Sequence, residues 1–148
     1  MSATGPLERF ARAQAPVLDE VRAELRAGRK KTHWMWFVFP QLRGLGHSPT
    51  AEFYAIASLE EAQAYLADPV LGPRLRECTR LVNAIEGRPI GEVFGFPDDL
   101  KFHSCMTLFA RAASPGSASA GADVFRAALE KYFGGEEDPR TLERLPQP

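Results

Sequence analysis

Cysteine is scarce: Cys78 and Cys105 are the two in 148 residues. That is too few for the disulfide framework of a small secreted domain, and neither their spacing nor their neighbours form a zinc pattern, so a reducing cytoplasm is the expected setting and no metal site is expected. Long apolar runs are missing too. None comes near the ~20 residues that cross a bilayer, and "MSATGPLERFARAQ" lacks the apolar stretch of a signal peptide, while its Glu8 argues against a transit peptide. Charge of one sign is not in excess either: 18 Lys and Arg against 19 Asp and Glu leave a formal charge of −1. No overall field therefore gathers nucleic acid or an anionic membrane, and neither is expected as a partner.

Catalytic signatures are equally sparse. "GLGHS" lacks the third glycine of a dinucleotide fingerprint and reads as a turn, and no phosphate loop, nucleophile elbow or zinc helix occurs. Alternating apolar and polar strands bounded by hairpin turns are absent, as is any internal repeat.

What remains is an ordinary globular composition, 45% apolar and 25% charged, in one domain's length of chain. Helix punctuation recurs throughout. Pro16 opens "PVLDEVRAELRAG", with Val17, Val21 and Leu25 at helical spacing and Gly28 as a left-handed cap. Ser58 and Glu61 form a capping box, and Asp68-Pro69 ends one helix while starting the next. Leu75, Cys78, Leu81, Val82 and Ile85 make one stripe, closed by Gly87; Phe102, Cys105, Met106 and Phe109 make another, with Asp98 and Asp99 at the favourable end of the helix dipole. Asp123 is read as the cap of a last long helix. The expected fold is an all-α, irregular multi-helical single domain of six or seven helices over residues 1–148, with a helical core at 5–113 and 123–145 and a flexible, small-residue loop at 114–122.

The stretch "THWMWFVFPQL", residues 32–42, is the most unusual feature. Six consecutive apolar residues are buried whatever their shape, and with no strand partners in view the run is expected to be a short central helix stopped by Pro40. Met35, Phe37, Val38 and Phe39 read as core. A buried indole needs a partner for its N–H, and Trp34 and Trp36 diverge on a helix, so at least one is expected at a rim or a polar group. Around them lie Arg29, Lys30, Lys31, His33, Gln41 and Arg43, which could enclose a polar-on-apolar cleft for a phosphorylated or nucleotide-like ligand. The competing reading is that the basic residues complement the C-terminal dipole of the preceding helix.

In "FPDDLKFHSCMTLF", Asp99 and His103 are four apart, a spacing that could orient a general base but more often supports a surface; Cys105 lies on the apolar stripe and reads as core. The favoured reading joins the two stretches: a small-molecule cleft formed by His33, Trp34, Trp36, Gln41, Arg29, Lys31 and Arg43 with Asp98, Lys101 and Ser104, in which Asp99 and His33 are the candidates if chemistry occurs. An N-glycosidase acting on ADP-ribose-type compounds, with Asp99 or Glu52 as its carboxylate, and a protein–protein interaction module are the alternatives. Nucleic-acid binding ranks last, because Asp19, Glu20 and Glu24 interrupt the strip of Arg22, Arg26, Arg29, Lys30 and Lys31. The residues name no cofactor.

The blocks "HWMWFVFPQL", "LEEAQAYLADPVLGPRLRECTRLV", "VFGFPDDLKFHSCMTLFA" and "KYFGGEEDPRT" together resemble the bacterial family known as domain of unknown function 1810, from about Leu7 to Leu142. The name calpastatin sometimes attached to that family has no physical support here, since that inhibitor is a long disordered repeat protein. The resemblance implies a compact, mostly helical domain and no established reaction. It carries over onto His33, Trp34, Trp36, Gln41, Asp98, Asp99, Lys101 and Ser104. In the family pattern the place of Cys105 is usually serine and that of His103 varies, which weakens both as catalytic residues.

Overall fold

The computed structural model describes residues 7–113 and 120–145, with side chains from 124 onward in the second stretch. They form ten helices: α1 Glu8–Gln14, α2 Leu18–Ala27, α3 Met35–Val38, α4 Pro49–Phe53, α5 Leu59–Ala67, α6 Leu71–Asn83, α7 Ile90–Phe94, α8 Asp98–Ala113, α9 Ala120–Phe133 and α10 Pro139–Arg144. Six have seven or more residues, close to the expected number, and the other four are short turns of helix. No strand occurs among the described residues. The nearest approach is one parallel bridge between Leu42 and Ile56, held by Arg43 N–H to Ile56 O and Ile56 N–H to Gln41 O, both 2.8 Å.

The punctuation works as its chemistry dictates. Gly28 ends α2 at φ 79°, where a side chain would be strained, and its N–H reaches back to the last turn. Ser58 Oγ accepts from Glu61 N–H at 3.1 Å while Glu61 Oε1 accepts from Ala57 N–H at 2.7 Å, one residue earlier than the usual reciprocal partner. Asp68 Oδ1 accepts from both Val70 and Leu71 N–H, so this residue closes α5 and opens α6. The expected loop over 114–122 falls largely outside the described residues, in 114–119. Helix α9 starts at Ala120, three residues before Asp123, so that residue lies within the helix and is not its cap.

Helix α8 is the axis of the molecule. It packs on α5, α7, α9 and α10, and from Ser104 to Ala110 every residue is buried. This explains why its amphipathic pattern is weak: these two central turns are covered on all sides and need no polar face. Rings from distant segments meet at its N-terminal half. Phe102 lies 4.9 Å from Phe94 and 5.1 Å from Phe39, and Phe39 and Phe94 both contact Trp34, giving a cluster of edge-on and offset rings. The run from residue 34 to 39 is thus mostly core, with Trp34, Met35, Val38 and Phe39 at 3% exposure or less.

Candidate functional site

Two short segments and two helix starts converge where α3 meets α8. After Gly28 the chain turns back, and Lys30 N–H bonds Val93 O at 2.7 Å, fixing the 29–31 segment against α7. Glu24, one turn before the end of α2, holds the next residues. Its carboxylate accepts from Lys31 N–H (2.7 Å), Thr32 N–H (3.1 Å), Thr32 Oγ1 (2.6 Å) and Trp34 Nε1 (2.9 Å). Partial burial pushes this carboxyl up, but the four bonds outweigh that and bring it down to about 2.

Trp34 is thereby locked in the core, and one turn of α3 sends Trp36 the other way, half-buried, toward the N-terminus of α8. There Lys101 Nζ sits 4.2 Å from the Trp36 ring centroid. Asp98 accepts from Lys101 Nζ at 2.8 Å and from Lys30 Nζ at 2.9 Å, one oxygen to each; Lys30 Nζ is also 5.2 Å from the Trp34 ring. Burial raises the Asp98 carboxyl, and the two ammonium groups overcome it, leaving it below its ordinary range. The carboxylate is ionised and committed.

Trp36 and Lys101 belong to the wall of a cleft of about 350 Å³, completed by Gln41, Leu45, Gly46, His47, Ser48, Pro97, Leu100 and Arg140. Gly46 closes over the indole: a Cβ there would lie 2.6 Å from Ala51 Cβ and 3.3 Å from two atoms of the Trp36 ring, so no larger residue fits without a shift. Arg140 enters from α10, whose start is pinned by Asp138. That buried carboxylate accepts from Ser104 Oγ (2.8 Å) and Thr141 Oγ1 (2.7 Å), and Thr107 Oγ1 accepts from the Asp138 N–H (2.9 Å). Burial raises the Asp138 carboxyl and these hydroxyls lower it, with a net shift downward.

Gln41 is the most informative member. Only 8% exposed, it spends its backbone carbonyl on Ile56, yet its side-chain amide has no hydrogen-bond partner among the described residues. A donor and an acceptor stand side by side at the cleft wall without a protein partner.

The structure therefore brings together Trp36, Gln41 and Lys101 of the expected residues, with Asp98 behind them, and separates the others. His33 is exposed on the turn, and its side chain has no hydrogen bond or ion pair among the described residues. Trp34 is core, and Lys31 is exposed with its N–H given to Glu24. Arg29 lines a different concavity beside α7, and Arg43 a third beside α10. Ser104 is fully buried in the Asp138 cluster, since position 104 faces α10 and not α3. Asp99, half-buried, accepts the N–H of Leu100 and does not line the cleft. Glu52 is exposed on α4 and His103 is stacked on Phe133 at 3.9 Å. His47, Leu45 and Arg140 complete the cleft without having been read from the sequence. Of these only Arg140 carried a local signal, the Asp138-Pro139 helix start just before it. No cluster of three potential metal ligands occurs among the described residues, and among them no helix is long and apolar enough to cross a membrane.

The fold and the cleft define a small all-helical domain with one aromatic wall and a cationic rim. The chain belongs to the family described as "Protein of unknown function (DUF1810)", whose model matches residues 4–145. It is similar to the conserved hypothetical protein Rv1873 from Mycobacterium tuberculosis, whose crystal structure at 1.38 Å is 62% identical in sequence, covers 94% of this chain and 95% of its own, and superposes with a TM-score of 0.88. No curated protein matches the chain.

Proposed function

We propose that the cleft between α3, α8 and α10 binds a small anionic, nucleotide-like molecule. The observation that carries this reading is the unpartnered amide of Gln41 at the wall of a cavity. The amide opens onto the cleft and meets no protein group among the described residues, so a ligand edge that presents one donor and one acceptor, as a heterocyclic base does, finds both unclaimed. The Trp36 indole gives such a ring an apolar wall, and Lys101 and Arg140 supply the charge that suits an anionic group.

Binding without hydrolysis is the favoured form. No carboxylate lines the cleft among the described residues, and of those behind it Asp98 is held ionised by two lysines and Asp138 is held by the Ser104 and Thr141 hydroxyls, so neither has a proton to give. The reading is tested by thermal unfolding with adenosine, guanosine, cytidine and uridine monophosphates and with inorganic phosphate. A compound at a hundred times its Kd adds about 2.7 kcal/mol, roughly 5–10 °C in Tm for a chain of this size. A flat response across the set, repeated by calorimetric titration, overturns it.

A further inference from the structure

We infer that a second anion site, separate from the cleft, lies beside α7 and takes phosphate-class dianions between Arg29 and Arg88. The concavity holds about 440 Å³ and is lined by Arg29, Lys30, Arg88, Gly91, Glu92 and Gly95, with the backs of Val93 and Phe94 as its floor.

Three features of the local architecture gather positive charge here. The left-handed Gly28 ends α2 and releases Arg29 at the rim. The Lys30 N–H to Val93 O bond holds that rim against α7. Arg88, just before α7, lies over Gly28, its Cδ and Nε only 3.5 Å from where a Cβ on that glycine would be. The two arginines thus come from segments nearly 60 residues apart and share one wall. Both are exposed, and neither guanidinium has an ion-pair or hydrogen-bond partner among the described residues.

The positive charge at this point comes from the lining itself. The two guanidinium groups outnumber Glu92, the one acidic lining residue, while behind the floor the one net cation of the Lys30–Asp98–Lys101 group is offset by Asp99, whose Oδ2 lies 3.8 Å from where a Cβ on Gly91 would stand. Lys30 contributes field and no direct contact, because its ammonium is turned inward to Asp98 and its side chain is 7% exposed. Gly91 and Gly95 carry no side chains to fill the concavity, and Phe96, which follows directly, is 82% exposed at its edge. Two planar guanidinium groups on one wall offer more donors than chloride or a single carboxylate can accept, and suit the several oxygens of a tetrahedral dianion. A soluble phosphorylated molecule and a lipid headgroup both carry this phosphate chemistry, with Phe96 against the remainder of either.

The test is calorimetric titration of the full chain with inorganic pyrophosphate at low ionic strength, alongside flotation with phosphatidylcholine vesicles with and without phosphatidic acid. Four proteins are compared: wild type, Arg29→Ala/Arg88→Ala, the control Arg26→Ala/Arg80→Ala on other exposed cations, and Arg140→Ala in the cleft. The expected result is at least tenfold weaker binding in Arg29→Ala/Arg88→Ala alone, with an unchanged Tm. Pyrophosphate binding without vesicle binding assigns a soluble phosphate, and vesicle binding that needs phosphatidic acid and both arginines assigns the headgroup. Equal loss in the control pair, no loss in the arginine pair, or no binding by wild type to either probe overturns the site. Because Arg140→Ala reports on the cleft, failure there is distinguishable from failure here.

Discussion

The indole N–H of Trp34 donates to Glu24 Oε1 at 2.9 Å, so a core tryptophan and the carboxylate of a preceding helix are tied together across the turn that joins them. Three more donors from residues 31 and 32 end on the same carboxylate, and the turn is thereby shaped around one negative charge. The exit of that turn sets where α3 points, and hence where Trp36 stands.

Glu24→Gln is expected to lose about 2 kcal/mol at neutral pH, since charge-assisted bonds become neutral ones and one acceptor becomes a donor. The sign with pH follows from the depressed carboxyl. Its stabilisation is complete above its ordinary value of 4.5 and fades as pH falls toward about 2. Urea titrations at pH 7, 5, 4 and 3 check this: the gap between wild type and variant should narrow over the acid range. A gap that stays constant with pH would show that charge plays no part.

Gln41→Leu keeps the volume of the cleft wall and removes the amide. Nucleotide affinity is expected to fall roughly tenfold, about 1.4 kcal/mol, while the unliganded protein is as stable as wild type or slightly more so, because no internal bond is lost. Titration followed by Trp fluorescence measures the first, and thermal unfolding the second. Unchanged affinity would remove Gln41 from recognition.

Gly46→Ala places a methyl group 2.6 Å from Ala51 Cβ and against the Trp36 ring. The loop must shift, at a cost of about 1–3 kcal/mol, and the emission of Trp36 should change with it. The spectrum of a Trp36→Phe variant, which leaves Trp34 as the lone indole, separates the two contributions.

Asp138→Ala strips the cap from α10, leaves the Thr141 hydroxyl without its acceptor and leaves Ser104 Oγ with the Leu100 carbonyl alone, an expected loss of about 3 kcal/mol. Arg140 rides on this helix, so hydrogen exchange should rise across 138–145 and anion affinity in the cleft should drop together. Exchange that rises without any change in affinity would show that Arg140 does not contribute to binding.

Both thiols are expected to be silent toward alkylating reagents at pH 8 in the folded protein and to react fully in denaturant. Cys78 is 1% exposed with its thiol pushed up to about 12 by burial, and burial likewise holds the fully buried Cys105 thiol well above its ordinary range.

Local rules made the helices legible. The Gly28, Ser58 and Asp68 signals act within four residues of themselves, and each can be read along the chain. The aromatic run was readable as core because six apolar residues in succession leave no face for water. What escaped was direction. Whether a residue next to that run faces the interior or the cleft depends on the partner brought from elsewhere: Glu24 takes Trp34 inward, α10 draws Ser104 away from the cleft, and Arg140 arrives from the far end of the chain. Glu24 looked like an interruption in a basic strip because its four partners lie seven to ten residues downstream, beyond helical neighbour spacing. The start of α9 was missed for a different reason: small residues such as Ala120 and Ala122 suit a helix as well as a loop.

The burial of the middle two turns of α8 bears on how the chain comes to be folded at all. Turns with no watery side gain little from forming early, so the ninety-odd residues ahead of the helix emerge from the ribosome as a half-built shell whose inner lining stays bare until that central post arrives. Fragments ending before it should be sticky and protease-sensitive, and a chaperone that covers exposed greasy surface would find its natural client in this protein during synthesis, not afterwards.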